Sequence, residues 1–238
     1  MTPARPDRAL PLVLLPGHMG DARMWGPQVA ALSARRTLHL PRDARANAMD
    51  EMAAIVLAEA PPRFALAGLS MGGILAMAIL RAAPGRVERL ALLDTNPLPE
   101  APAVAAERAA RMGRVAAGEL DAVVMTEMKP LYLADPGRTD ILDLCLAMAR
   151  DLGPEAFLRQ SRALMDRPDS QAALAAFRGP ALVLTGAGDR LCPMDRHALM
   201  HRLMPQSRLV VIEGAGHLPP LERPDETTAA LVRWLEDE

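Results

Sequence analysis

The sequence predicts an α/β fold: a mostly parallel, doubly wound sheet with flanking helices and an inserted all-helical lid. Three observations carry that expectation. Short, nearly continuous apolar runs alternate with longer amphipathic runs at both ends of the 238-residue chain, as in strands buried on both faces by crossover helices. The stretch from Pro97 to Ser170 breaks this alternation and contains no clear strand. Gly68-Leu69-Ser70-Met71-Gly72 stands between a strand-like run and a helix-like run.

In chain order, Leu10 to Leu15 reads as a buried strand, Trp25 to Ala34 as a helix and Thr37 to Leu40 as a second strand. Ala48 to Ala60 has helical spacing and is stopped by Pro61-Pro62, since proline lacks the N–H that would continue the helix. Phe64 to Ala67 is the third strand. Met71 to Ala83 is the helix after it, stopped by Pro84-Gly85, and Val87 to Leu93 is the fourth strand. Ala101 to Gly118, Leu120 to Met128, Thr139 to Leu152 and Pro154 to Met165 read as four helices, more than one crossover between parallel strands needs. Ala181 to Thr185 and Arg208 to Ile212 complete the strands, with helices over Met194 to Met204 and Asp225 to Trp234. The expected division is a core of residues 1–96 and 171–238, with 97–170 as a helical lid at the carboxyl ends of the strands, where open α/β sheets bind ligands.

Half of the residues are apolar, enough for a sizeable core. Net charge is −2, with 27 Lys and Arg scattered among 29 Asp and Glu. The absence of a basic stripe argues against nucleic acid and membrane surfaces as partners. Two Trp, one Tyr and three Phe provide no stacking platform for bases. Leu, Ala, Val and the 15 Met must fill the core instead. Cys145 and Cys192 do not make a disulfide framework. Met1 to Arg8 is polar and Pro-rich, without the pattern of a secretory leader, and no apolar run reaches bilayer length. A cytoplasmic protein is expected. Abundant Ala, Arg and Pro with a single Lys suggest a GC-rich bacterial genome.

The Gly-x-Ser-x-Gly sequence has the context of a nucleophile elbow. A strand that turns at once into a helix forces the tip residue into a strained conformation, and the flanking glycines keep side chains from colliding there. Ser70 would stand clear of the sheet beside the free N–H groups and positive dipole end of a helix. A serine hydroxyl needs a base, and the base needs a carboxylate to orient it. Of the five histidines, only His217 combines a Gly-rich loop, a strand end and a late position, in Glu213-Gly214-Ala215-Gly216-His217. Asp189 leaves a strand end in Gly186-Ala187-Gly188-Asp189, while Asp94, after Leu90 to Leu93, is the rival acid and otherwise caps the entry to the lid. Oxyanion donors are expected from the backbone amides of Met71 and His18, with Met19 as an alternative to His18.

Other signals are weaker. Met19, Trp25, Met125, Met128, Lys129 and Tyr132 are candidates to line the pocket. His197 and His201 share a helical spacing that would suit a metal, but no third ligand accompanies them, and a solvated helix face is expected. No nucleotide-binding motif occurs. Neither a metal nor a cofactor is expected.

Pro16-Gly17-His18, Gly68-Leu69-Ser70-Met71-Gly72-Gly73, Gly186-Ala187-Gly188-Asp189 and Gly216-His217 together resemble the α/β-hydrolase fold superfamily, in its small lid-bearing esterase and lactonase branch. The resemblance covers nearly the whole chain. It implies nucleophile, acid and base roles for Ser70, Asp189 and His217, in that chain order. Two departures stand out: Pro16-Gly17 where relatives often carry His-Gly, and Leu40-Pro41-Arg42-Asp43-Ala44-Arg45 in place of a Gly-rich loop. The expected activity is cofactor-free hydrolysis of a small, mostly apolar ester or lactone through an acyl-enzyme. Enol-lactone, carbon–carbon bond, thioester or amide cleavage would use the same residues, and a ligand-binding protein with little turnover is the alternative from another class.

Overall fold

The computed structural model describes residues 9–42 and 45–236. Met1 to Arg8, and Asp43 and Ala44 of the departing loop, lie outside the described residues. Strand β1 (Leu12–Leu15) leads through a 3-10 turn (Ala22–Trp25) into α1 (Gly26–Leu32), followed by β2 (Leu38–His39) and α2 (Met49–Glu59). Next come β3 (Phe64–Leu69), α3 (Met71–Ala82) and β4 (Val87–Leu93). A helical insertion follows: α4 (Pro102–Ala116), α5 (Leu120–Ala122) running into a π-helical turn (Val123–Met128), and α6 (Thr139–Met165). The chain re-enters the sheet through α7 (Gln171–Ala176), β5 (Ala181–Gly186), α8 (Met194–Leu203) and β6 (Arg208–Ile212), and ends on α9 (Pro219–Glu222) and α10 (Pro224–Glu236).

Among the described residues the strands form one six-stranded sheet in the order β2-β1-β3-β4-β5-β6, with every pair parallel. The side-chain alternation of a strand explains why the inner ones are apolar throughout. Leu12 and Leu14 point into a core cluster with Trp25, Phe157 and Trp234, whereas Val13 and Leu15 point into a second cluster with Phe64, Ile79 and Met200. The order reverses at β1 and β3: the chain leaves β1 for β2 on one side and β3 for β4 on the other. Loops at the carboxyl ends therefore diverge there and open a crevice.

The insertion shares the first of these cores. Val123, Val124, Ile141 and Met148 bury themselves in the same cluster as Leu12 and Leu14. The two helices expected from Thr139 to Met165 run end to end in α6, and Gly153 (φ 79) breaks the turn between them just before Pro154. The helix expected over Leu120 to Met128 is α only as far as Ala122. Periodicity missed α7 and α9, which span 6 and 4 residues, too short to show a hydrophobic repeat.

The turn from β3 into α3 is held by close backbone contact. A Cβ on Gly68 would overlap the backbone of Gly72, and one on Gly72 would overlap the Leu15 carbonyl on β1. Because backbone rather than a flexible side chain is in the way, Gly72→Ala should destabilise the protein by about 1–3 kcal/mol or more. Urea unfolding checks this, and an unchanged midpoint would contradict the packing described.

Candidate active site

Ser70 sits between β3 and α3 with φ 55 and ψ −117, a conformation that L side chains rarely adopt. Hydrogen bonds over-determine it. Its amide donates to the Leu93 carbonyl (2.9 Å), and its own carbonyl accepts from the Gly73 amide (2.9 Å) and the Thr95 hydroxyl (2.7 Å). The end of β4 thus braces the turn.

His217 follows β6 in a loop pinned from two sides. Its amide donates to the Tyr132 carbonyl (2.6 Å). The Glu222 carboxylate accepts from the amides of Gly216 (2.9 Å), Leu218 (3.0 Å) and Ala134 (2.8 Å). Glu222 was not anticipated; its only sign in the sequence is a carboxylate in the short segment after His217, and its three partners are visible only in the fold.

The structure brings Ser70, Asp189 and His217 into one line. His217 Nε2 lies 2.8 Å from Ser70 Oγ, and Nδ1 lies 2.9 Å from Asp189 Oδ2. The His217 and Asp189 side chains are 3% and 1% exposed. With Nδ1–H donating to the carboxylate, Nε2 is left to accept from the hydroxyl. Asp189 Oδ1 accepts from the amides of Leu191 (2.8 Å) and Cys192 (3.1 Å). Burial works against the charge on Asp189, yet the His217 ring and these amides outweigh it and hold the carboxyl below its ordinary range. Asp94 does not reach His217 in this way, nor does it cap the helical insertion. It is fully buried at φ 44, and its Oδ1 accepts from the Gly186 amide (2.9 Å) and the Thr185 hydroxyl (3.3 Å) of β5.

The loop after β1 lies against the serine: a Cβ on Gly17 would stand 3.3 Å from that of Ser70. The Met19 amide is taken by Gln160 Oε1 of α6 at 2.9 Å, which leaves the His18 amide on that loop and the Met71 amide at the first position of α3, where no intrahelical acceptor exists. The His18 ring is buried edge-on against Phe157 at 5.0 Å, with Nε2 3.4 Å from Ser161 Oγ. Burial, then the charges of Arg108 and Lys129, hold its pKa well below the usual histidine range.

A cavity of about 460 Å³ has Ser70, His18 and His217 on its wall, with Met128, Tyr132 and Phe157 among its apolar lining. Met19, Trp25, Met125 and Lys129 are not part of that lining. Met19 and Trp25 are fully buried in the core cluster, and Met125 packs against it. Lys129 is buried with its Nζ 4.3 Å above the Tyr132 ring. A charged cluster also lines the cavity: the Glu100 carboxylate accepts from Arg108 Nε at 2.5 Å and is bonded by Arg167. A larger groove of about 1110 Å³ runs on the other side of Gly17 and Met71 and reaches neither Ser70 nor His217.

The family model of the alpha/beta hydrolase family matches residues 12–231. The chain belongs to that family. This hydrolase is similar to the pimeloyl-[acyl-carrier protein] methyl ester esterase of Edwardsiella ictaluri, 29% identical over 239 residues that cover 94% of this chain and 93% of that protein. It is similar in structure to a thermophilic esterase from Thermogutta terrifontis, in its malate-bound form (TM-score 0.88, 30% identity, 95% of this chain and 89% of that one). The fold is shared with the enol-lactonase of Burkholderia xenovorans (TM-score 0.82, 24% identity, 96% and 92%).

One further expectation changes. His197 is fully buried rather than on a solvated face, with Nδ1 3.4 Å from the Pro193 carbonyl, because α8 turns that side toward the sheet. Asp189, Cys192 and His217 place ligand-type atoms within 4.8 Å of one another, but both ring nitrogens of His217 are already engaged by Asp189 and Ser70. Among the described residues no helix is long and apolar enough to cross a membrane.

Burial, only partly offset by the charge of Asp189, lowers the His197 pKa to about 4. An unfolded histidine titrates near 6.5, so the unfolded chain binds the extra proton between these values. The stability contributed by a neutral His197 is complete above about pH 6.5 and is lost as pH falls toward 4. Removing the ring should flatten that loss by roughly 3 kcal/mol. Urea unfolding of His197→Gln and the wild type from pH 7 to 4.5 checks it, and parallel curves would reject it.

Proposed function

We propose that this hydrolase cleaves a small, mostly apolar carboxylic ester or lactone through an acyl-enzyme on Ser70. The observation that carries the reading is the run of contacts from Ser70 Oγ through His217 to Asp189, at 2.8 and 2.9 Å. His217 Nε2 takes the serine proton as Oγ attacks the carbonyl, and Asp189 stabilises the imidazolium that forms. The amides of His18 and Met71 receive the developing oxyanion at the N-terminus of α3. His217 then protonates the leaving oxygen and activates the water that releases the acid. A neutral, buried His18 ring supports a backbone role for that residue.

The names of the relatives support ester cleavage, while the acyl carrier in one of those names belongs to that relative. Met128, Tyr132 and Phe157 supply an apolar wall, and in this reading residues 97–170 form the lid that keeps water from the acyl-enzyme. A second reading, an ester with an anionic group remote from its carbonyl, is favoured by Arg108 and Arg167 sharing the single Glu100 carboxylate in the same wall. The enzyme is read as cytoplasmic, acting on a small molecule.

Ser70→Ala should lose fluorophosphonate labelling and at least about 10⁴-fold in kcat, and Asp189→Asn should lose a comparable factor by misorienting the imidazole. Labelling of Ser70→Ala equal to that of the wild type would falsify the assignment. Activity on p-nitrophenyl esters of graded acyl length, set beside half-esters of dicarboxylic acids, separates the two substrate readings. Preference for the neutral esters favours the first, and a lower KM for the half-esters that Arg108→Ala abolishes favours the second.

A further inference from the structure

The Asp94 side chain carries an unresolved contact. It is fully buried, and Oδ1 is satisfied by the Gly186 amide and the Thr185 hydroxyl, but Oδ2 is buried without a donor. Gly186 joins the two acids: its amide donates to Asp94 Oδ1 at 2.9 Å and its carbonyl accepts from the Asp189 amide at 3.1 Å, so the two side chains meet at one turn. Two carboxylates buried side by side cannot both ionise without a large repulsion, so one holds a proton. Asp189 receives the Leu191 and Cys192 amides and the His217 ring, three donors that suit an ionised carboxylate. Asp94 receives two donors on one oxygen and none on the other.

We propose that Asp94 is a positioning residue: a neutral carboxylic acid whose Oδ2–H donates to Asp189 and fixes the carboxylate that orients His217. The orphaned oxygen then has its partner. Burial and the neighbouring Asp189 charge both raise the Asp94 pKa well above the ordinary carboxylate range, in keeping with that geometry. The residue pair at the end of β4 holds both halves of the site, since Thr95 bonds the Ser70 carbonyl while Asp94 reaches across to the acid. Its own backbone is anchored by its amide, which donates to the Leu184 carbonyl at 3.0 Å. The titratable groups around the pair are Cys192 on the loop after β5, His197 on α8 and His217 after β6, with Arg167 and Arg196 charged beside Cys192 and Asp195 beside His197.

The inference rests on Ser70 and His217 acting as proposed above, and fluorophosphonate labelling of the wild type tests that separately. The direct readout is the infrared carboxyl region at neutral pH. A protonated-carboxyl band that shifts in D₂O and is missing from Asp94→Asn supports the proposal, and its absence from the wild type overturns it, whether or not Ser70 labels. In kinetics, Asp94→Ala should lower kcat about tenfold with KM little changed, from the loss of one hydrogen bond to a charged group. It should also move the acid limb of kcat/KM to higher pH, because an Asp189 without its donor stabilises the imidazolium more. Asp94→Asn keeps an acceptor for Gly186 and offers an N–H to Asp189, so it should restore most of kcat and leave the limb where it stands in the wild type. A limb moved down by about one unit in Asp94→Asn would mean that Asp94 carries charge, and the proposal fails. It also fails if Asp94→Ala loses thermal stability alone with kcat and profile intact. If Asp94→Ala does not fold, the infrared band and the Asp94→Asn profile decide.

Discussion

Ser70 is held at φ 55 and ψ −117, a conformation that costs a non-glycine residue about 1–3 kcal/mol, and the surrounding architecture is organised to keep it there. The turn works because Gly68 and Gly72 let three backbone segments meet without a Cβ between them, and because the Leu93 carbonyl and the Thr95 hydroxyl bind the serine backbone. The strain lifts the hydroxyl off the sheet and starts α3 immediately after it. One local constraint thus yields both a raised hydroxyl and a helix N-terminus beside it.

The parallel sheet does the rest by placing unlike loops at one edge. β1, β3, β4, β5 and β6 all point the same way, so their carboxyl ends deliver Gly17 and His18, Ser70, Asp94 and Thr95, Asp189 and His217 to a common rim. Each is secured by a partner from a different part of the chain. Gln160 on α6 holds the Met19 amide, Tyr132 holds the His217 amide, and Glu222 gathers three amides around the His217 loop. The helical insertion is therefore part of the site's scaffold, since Tyr132, Phe157 and Gln160 all come from it.

Charge is managed by burial and pairing together. Asp189 stays ionised because three donors meet it, His18 stays neutral because burial and nearby cations oppose a second proton, and His197 stays neutral for the first of these reasons. The cavity wall combines apolar side chains with the Arg108–Glu100–Arg167 cluster, so its chemistry is less uniformly apolar than the composition of the insertion suggests.

The strands, the longer helices of the core and the Ser70 turn were legible in the sequence, because apolar alternation and a Gly-x-Ser-x-Gly turn are local patterns with local causes. Val87 to Leu93 and Arg208 to Ile212 match the observed strands residue for residue. His217 and Asp189 were recognisable as loop residues at strand ends. What the sequence left open was direction. Asp94 and Asp189 both end strands, and only the fold shows that Asp189 meets the His217 ring while Asp94 turns toward β5. Trp25 and Met19 looked available for the pocket and are core, and His197 looked solvated and is buried. The face a side chain presents depends on contacts with residues far away in the chain, such as Gln160 with Met19 or Glu222 with Ala134, and one-dimensional spacing carries no record of them.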